Sequence, residues 1–125
     1  YEQVQAKMGD AKTAEFVRLY MVPGMGHCGG GPGATSFGQS GLNTAGDPNS
    51  DILDALQAWE EHGTAPGPII ATKYAPGKAD AATKVDETRK VEMTRPLCPY
   101  PQVAKYNGNG DPNDSASFAC TAPGH

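Results

Sequence analysis

Aromatic side chains make up only 7% of the 125 residues, tryptophan occurs once and hydrophobic residues total 38%. So lean an apolar inventory limits the core that the chain can bury by itself, and a partner surface is expected to complete it. Positive charge is also scarce: 10 Lys and Arg against 14 Asp and Glu leave a net charge of −4. No stripe of Lys or Arg offsets that balance, which excludes binding to a phosphate backbone, and no nucleic-acid partner is expected. No apolar run approaches the ~20 residues of a membrane-spanning helix, so no membrane partner is expected either. Cysteine occurs three times, at Cys28, Cys98 and Cys120, without the C-x₂-C spacing of a zinc site. Repeats and interdomain linkers are absent. Residues 1–125 therefore read as a segment of one domain, and Tyr1 follows no initiator Met or leader pattern, as if cut from something longer.

Glycine (16 residues) and proline (11) are plentiful, so turns dominate. The organising stretch is residues 16–33. Its first half, Phe16-Val17-Arg18-Leu19-Tyr20-Met21-Val22, is a short apolar run closed by Pro23-Gly24. That pattern predicts a strand buried on both faces, as in a parallel sheet. The second half sets His27 and Cys28 among Gly24, Gly26, Gly29, Gly30 and Gly31. Glycine frees the backbone to turn sharply and adds no bulk, so the imidazole and thiol stand on a bare loop after a strand. A titratable side chain at the carboxyl end of a buried strand is where α/β enzymes keep their chemistry.

Elsewhere, Tyr1, Val4 and Met8 share a helical face that Gly9 can end, and residues 10–14 read as a connector. Residues 29–46 read as a surface loop without a core of its own. The clearest helix spans residues 50–62, with Asp47 or Ser50 as cap and Pro48 at its first position if Asp47 caps. It is expected to pack on a sheet through Leu53, Leu56 and Trp59, and to end at Gly63 and Pro66. Pro68-Ile69-Ile70-Ala71-Thr72-Lys73-Tyr74 reads as a short strand, residues 75–94 as a charged loop or hairpin, and the segment holding Pro96, Pro99 and Pro101 as edge-like or irregular backbone. From Asn107 the chain reads as a polar tail. Cys98 and Cys120 both lie in weakly stabilised sequence, and a bridge between them is expected, which implies an oxidising compartment.

Three further motifs carry less. Gly24-x-Gly26-x-x-Gly29 has the spacing of a dinucleotide fingerprint, but that site needs a helix to start there, and Gly30, Gly31, Pro32 and Gly33 forbid one. Asp111-Pro112-Asn113-Asp114-Ser115 lacks the glycine and glutamate of a calcium loop and reads as an Asx-rich turn; Asn113 also heads a formal glycosylation sequon. His27 and Cys28, being adjacent, cannot both serve a tetrahedral metal, and no metal site is expected. His62 suits the last turn of its helix as a cation and needs no functional account, and His125 is terminal.

Arg18-Leu19-Tyr20-Met21-Val22-Pro23-Gly24-Met25-Gly26-His27-Cys28 resembles the histidine motif of the tannase and feruloyl esterase family of α/β-hydrolases. Arg95-Pro96-Leu97-Cys98-Pro99-Tyr100-Pro101-Gln102-Val103-Ala104-Lys105-Tyr106-Asn107-Gly108 resembles that family's closing segment, and the Trp59 helix lies between the two in the family's order. The resemblance implies the C-terminal part of an α/β-hydrolase fold, mostly parallel sheet flanked by helices, with an irregular disulfide-stapled tail. It implies hydrolysis of aromatic-acid esters by a Ser-His-Asp mechanism in which His27 is the general base. It further implies that Cys28 bonds to a cysteine outside this chain, next to the nucleophile. By the same resemblance no cofactor belongs to this chain, a structural calcium belongs to an absent lid, and the enzyme is secreted or periplasmic.

Nucleophile and acid cannot be assigned here. No G-x-S-x-G elbow exists, and Ser36, Ser40 and Ser50 follow His27, whereas α/β-hydrolases run Ser, acid, His. Asp10 and Glu15 precede the expected strand and so lie at its wrong end, while Asp47, Asp51 and Asp54 fit geometrically but not in order. The expected partners are thus the N-terminal remainder of the same enzyme, carrying Ser and Asp, and a small aromatic ester. The competing class is a non-catalytic, disulfide-stapled extracellular binding module, for which Cys28 would be free or paired with another copy.

Overall fold

The computed structural model describes residues 1–39, 46–76 and 89–124. Ser40, His125 and most of the expected excursion at residues 75–94 lie outside the described residues. Helix α1 (Glu2–Met8) stops at Gly9, whose φ of 85° lets the chain leave the helix while its N–H still reaches Gln5 O at 2.7 Å. A second short helix, α2 (Asp10–Thr13), follows where the sequence suggests only a connector. Thr13 is the reason: its buried hydroxyl donates to Gly9 O at 2.8 Å and closes the turn.

The last helical bond runs from Val17 N–H to Thr13 O at 3.1 Å, and beyond it residues 18–22 are extended, yet the expected inner parallel strand is not formed. Only Tyr20 pairs, in an isolated antiparallel bridge with Pro99, where Tyr100 N–H donates to Leu19 O at 2.8 Å. An inner strand needs a neighbour on each side for its N–H and C=O groups. The described residues supply a single bridge, and Phe16 and Met21 remain 54% and 61% exposed. Nor is a parallel sheet present among the described residues: both sheets are two-stranded and antiparallel.

Helix α3 (Ile52–His62) is capped by Asp51, not by Asp47 or Ser50. Asp47 instead closes an Asx turn of its own, accepting from Asn49 N at 3.0 Å and from the Ser50 hydroxyl at 2.9 Å. That leaves Asp51 to accept from Leu53 N and Asp54 N at 2.8 and 3.3 Å. Gly63, left-handed at φ 69°, ends the helix as its sequence position predicts. The packing face differs from expectation. Leu53 and Leu56 are 43% and 57% exposed, and the helix enters the core through buried Ala55, with Ile52 beside it.

Strand β1 (Ile69–Tyr74) pairs with β2 (Val91–Leu97), from Ile69 opposite Leu97 to Tyr74 opposite Val91. Pro96 is tolerated within β2 because its partner Ile70 sends its own N–H away from the ladder, to Asn49 O at 2.7 Å. At such a pair the ladder demands no N–H from either residue. On the other edge of β1, Ser36 and Thr72 exchange two backbone bonds of 3.0 and 2.8 Å. This pairing pulls Ala34 and Phe37 into one core with Ala55, Ile69, Ala71 and Leu97. The segment expected to be a loop without a core therefore supplies part of the core.

The region from Asn107 is likewise more than a polar tail. Strand β3 (Val103–Tyr106) pairs with β4 (Phe118–Thr121), and a 3₁₀ turn at Ser115–Ser117 leads into β4. The Cys98–Cys120 bridge is formed, with Cα atoms 5.6 Å apart, and ties β4 to the end of β2. Thr94 adds two bonds, donating N–H to Asn113 O and accepting from Ser115 N through its hydroxyl, both at 2.8 Å. Arg95 lies 4.1 Å over the Phe118 ring, which in turn packs on Tyr106. Asn113 N–H bonds to Asp111 Oδ1 at 2.8 Å, the Asx turn that the composition there predicts.

Candidate functional site

The loop that presents His27 starts at a turn on Pro23 and Gly24 and returns at Gly33. Gly24, Gly30 and Gly31 all take positive φ, of 73°, 65° and 100°. Two bonds cross the loop: Gly26 N–H to Gly30 O at 3.0 Å and Gly33 N–H to Gly24 O at 3.2 Å. No helix starts here, which removes the structural condition for a dinucleotide site.

At the tip, His27 and Cys28 are both exposed, with His27 Nε2 4.0 Å from Cys28 Sγ. Cys28 is a free thiol and the one non-glycine residue at positive φ among those described, at 61°. A residue with a Cβ holds that conformation at a cost of about 1–2 kcal/mol. The neighbouring bonds across the loop are what hold it there.

Among the described residues no carboxylate or hydroxyl reaches the His27 ring, whose one near polar neighbour is Cys28. Asp51 is buried and its Oδ1 is committed to the α3 cap. Asp47 is held below the usual carboxylate range by the Asn49 backbone N–H first, then the Asn49 amide and Ser50 hydroxyl. Asp10 belongs to α2, and Glu15 pairs with Lys12. Ser36 lies on the β1 edge, and Ser50 donates to Asp47. The site thus presents an accessible imidazole with a free thiol as its near polar neighbour, but the described residues bring it neither a serine hydroxyl to activate nor an acid to orient the ring. No group of three His, Cys, Asp or Glu side chains that could hold a metal ion occurs among them.

Below the loop, Tyr20 donates its hydroxyl to Gly67 O at 2.7 Å and Pro66 O at 3.2 Å. Burial raises its pKa, with Arg18 opposing. Arg18 lies 5.1 Å over the half-buried Trp59 ring, so Trp59 serves to join α3 to the segment that leads into the loop. Sequence reasoning missed Asp51 as the cap of α3 and the contact made by Lys73. Lys73 donates to Pro32 O at 3.2 Å from across the sheet. Such a contact between residues 41 positions apart has no local signal, whereas Asp51 directly before Ile52 could have been found as a cap.

The family model for tannase and feruloyl esterase matches residues 1–121. Mono(2-hydroxyethyl) terephthalate hydrolase of Piscinibacter sakaiensis is 45% identical over 123 residues, covering 98% of this chain and 16% of that protein. Feruloyl esterase C of Talaromyces stipitatus is 36% identical over 123 residues, covering 96% and 22%. An esterase structure from Aspergillus oryzae superposes with a TM-score of 0.78 at 31% identity, over 97% of this chain and 23% of the other. The chain spans less than a quarter of the length of these relatives. Matched along nearly its whole length, it belongs to the tannase and feruloyl esterase family.

Proposed function

We propose that this chain is the histidine-bearing, C-terminal part of a carboxylic ester hydrolase that acts on esters of aromatic acids. One observation carries the reading: His27, an accessible imidazole that no carboxylate or hydroxyl among the described residues holds, stands on a glycine-built loop within the family motif. His27 accepts the proton of a serine as it attacks the ester carbonyl. It then returns that proton to the leaving alcohol, and water repeats the sequence on the acyl-enzyme. The serine and the acid come from the N-terminal remainder, and a lid there shapes the acyl pocket and holds any structural calcium.

Cys28 bonds to a cysteine beside that serine and holds the two loops together, since a disulfide keeps its Cα atoms within about 7 Å. The exposed Phe16 and Met21 support a further step: in the whole enzyme residues 16–22 become an inner strand of a mostly parallel sheet. The Cys98–Cys120 bridge fits a secreted or periplasmic enzyme, because such bonds persist in oxidising compartments.

The test is turnover by the whole protein of esters of phenolic acids or of terephthalate, with and without His27→Ala. Hydrolysis that His27→Ala abolishes is the expected result. Hydrolysis that survives it would remove His27 from the mechanism.

A further inference from the structure

We propose that the backbone ring between Pro23 and Gly33 is a positioning device for His27, and that Gly31 and Gly33 are its positioning residues. This rests on the reading of His27 as the general base. A run of glycines is the composition of a flexible loop, and a base on such a loop would visit its working position only part of the time. The geometry here is different, because the glycines allow the two legs of the loop to touch. A Cβ on residue 33 would stand 2.1 Å from Pro23 O, and one on residue 31 would stand 2.1 Å from Gly24 O. A Cβ on residue 24 would meet Gly33 N at 2.9 Å. These distances lie far inside van der Waals contact, so backbone packs on backbone only because all three lack side chains. Gly29 differs: a Cβ there meets nothing within 4 Å, and its φ is not left-handed.

The crossing bonds sit at the same places. Gly33 N–H reaches Gly24 O and Gly26 N–H reaches Gly30 O, which brackets His27 and Cys28 inside a short closed turn. The returning leg is fastened to β1 twice, by the Lys73 ammonium on Pro32 O and by the Ser36–Thr72 backbone pair. The entering leg is held by the Tyr20 hydroxyl on Gly67 O. His27 therefore stands on a ring anchored at both feet. Such a frame keeps a base within reach of its proton, which is where positioned general bases derive their advantage.

The experiment compares Gly31→Ala and Gly33→Ala with Gly29→Ala in the whole enzyme, measuring kcat and KM separately. The two positioning variants are expected to lower kcat at least ten-fold with KM within two-fold, and Gly29→Ala to leave both within two-fold. Amide hydrogen exchange on the unaltered protein reads the ring without any substitution, and so decides the matter should Gly33→Ala fail to fold. The Gly26 and Gly33 amides are expected to exchange at least ten-fold more slowly than that of Gly29. Equal exchange at the three amides, or an equal loss of kcat in all three variants, overturns the proposal. Failure of the base reading is told apart by His27→Ala: full activity there defeats the base, while the exchange rates still report on the ring.

Discussion

The carboxylate of Asp51 occupies the space where a side chain on residue 38 would begin. A Cβ built on Gly38 falls 2.2 Å from both Cγ and Oδ1 of Asp51, and Gly38 itself sits at φ 82°. Asp51 is 1% exposed, and next to it Ile52 N–H donates to Phe37 O at 2.9 Å. One buried residue thus caps α3 and seats the Phe37–Gly38 turn against it. Asp51→Ala is expected to lower the unfolding free energy by about 1–2 kcal/mol, the range for losing a helix cap. Asp51→Asn should cost less than Asp51→Ala, because an amide oxygen caps as well as a carboxylate does. Gly38→Ala should cost about 1–3 kcal/mol through strain and overlap. Urea unfolding of the three variants checks the order, and an Asn variant as weak as Ala would show that the charge, not the cap, matters.

The Cys98–Cys120 bridge encloses residues 22 apart and joins two strands that share little core. Restricting the unfolded chain over a loop of that length stabilises the folded one by roughly 3 kcal/mol. The double variant Cys98→Ser/Cys120→Ser is therefore expected to lose about that much, with β3 and β4 losing amide protection before β1 and β2. Unreduced peptide mapping should find both cysteines in one disulfide-linked fragment. Either of them alkylated as a free thiol would remove the bridge from the native protein.

What the sequence revealed follows from the range of each interaction. Gly63 and Ile69–Tyr74 were legible because a left-handed helix end and a β-branched run are local signals. The His27 loop was legible from its own glycines. The role of Leu53 and Leu56 was not, because helical spacing marks an apolar stripe without saying which part of it finds a partner; Ala55 does, and the two leucines line an open groove with Phe16 and Trp59. Phe37 and Phe118 were hidden for a different cause. Each lies in polar, glycine- or serine-bearing sequence and becomes structural only through distant pairing, of the neighbouring Ser36 with Thr72 and of Phe118 with Tyr106. The nucleophile, the acid and the neighbours of residues 16–22 had no local signal to read.

Cys28 separates the esterase reading from a binding module. In the isolated chain its exposed thiol is expected to react with iodoacetamide under non-reducing conditions, while Cys98 and Cys120 do not. In the whole enzyme Cys28 should be blocked, paired with a cysteine of the nucleophile-bearing segment, and mass spectrometry of unreduced peptides should contain that cross-linked pair. A thiol that stays free in the whole, active enzyme would dispense with the clamp. A Cys28–Cys28 link between copies would favour a binding module instead.

His27 decides the function. By itself the chain is expected to hydrolyse no ester, since a base without a nucleophile leaves nothing to attack the acyl carbon. In the whole enzyme, His27→Ala should lower kcat by about 10⁴–10⁶, the scale seen when a member of a triad is removed. His62 is the matched control, an exposed histidine in the last turn of α3. A cation there interacts with the helix dipole by only ~0.3–1 kcal/mol of stability, so His62→Ala should leave kcat within about two-fold. The sign of the pH dependence follows from the role. A general base must be neutral to accept the serine proton, so kcat/KM should fall as pH falls. The acid limb should belong to His27 alone: His62→Ala should leave it in place, and the residual activity of His27→Ala should lack it. A limb that persists unchanged without His27, or two substitutions with equally mild effects on kcat, would make His27 a structural residue and leave the esterase without its base.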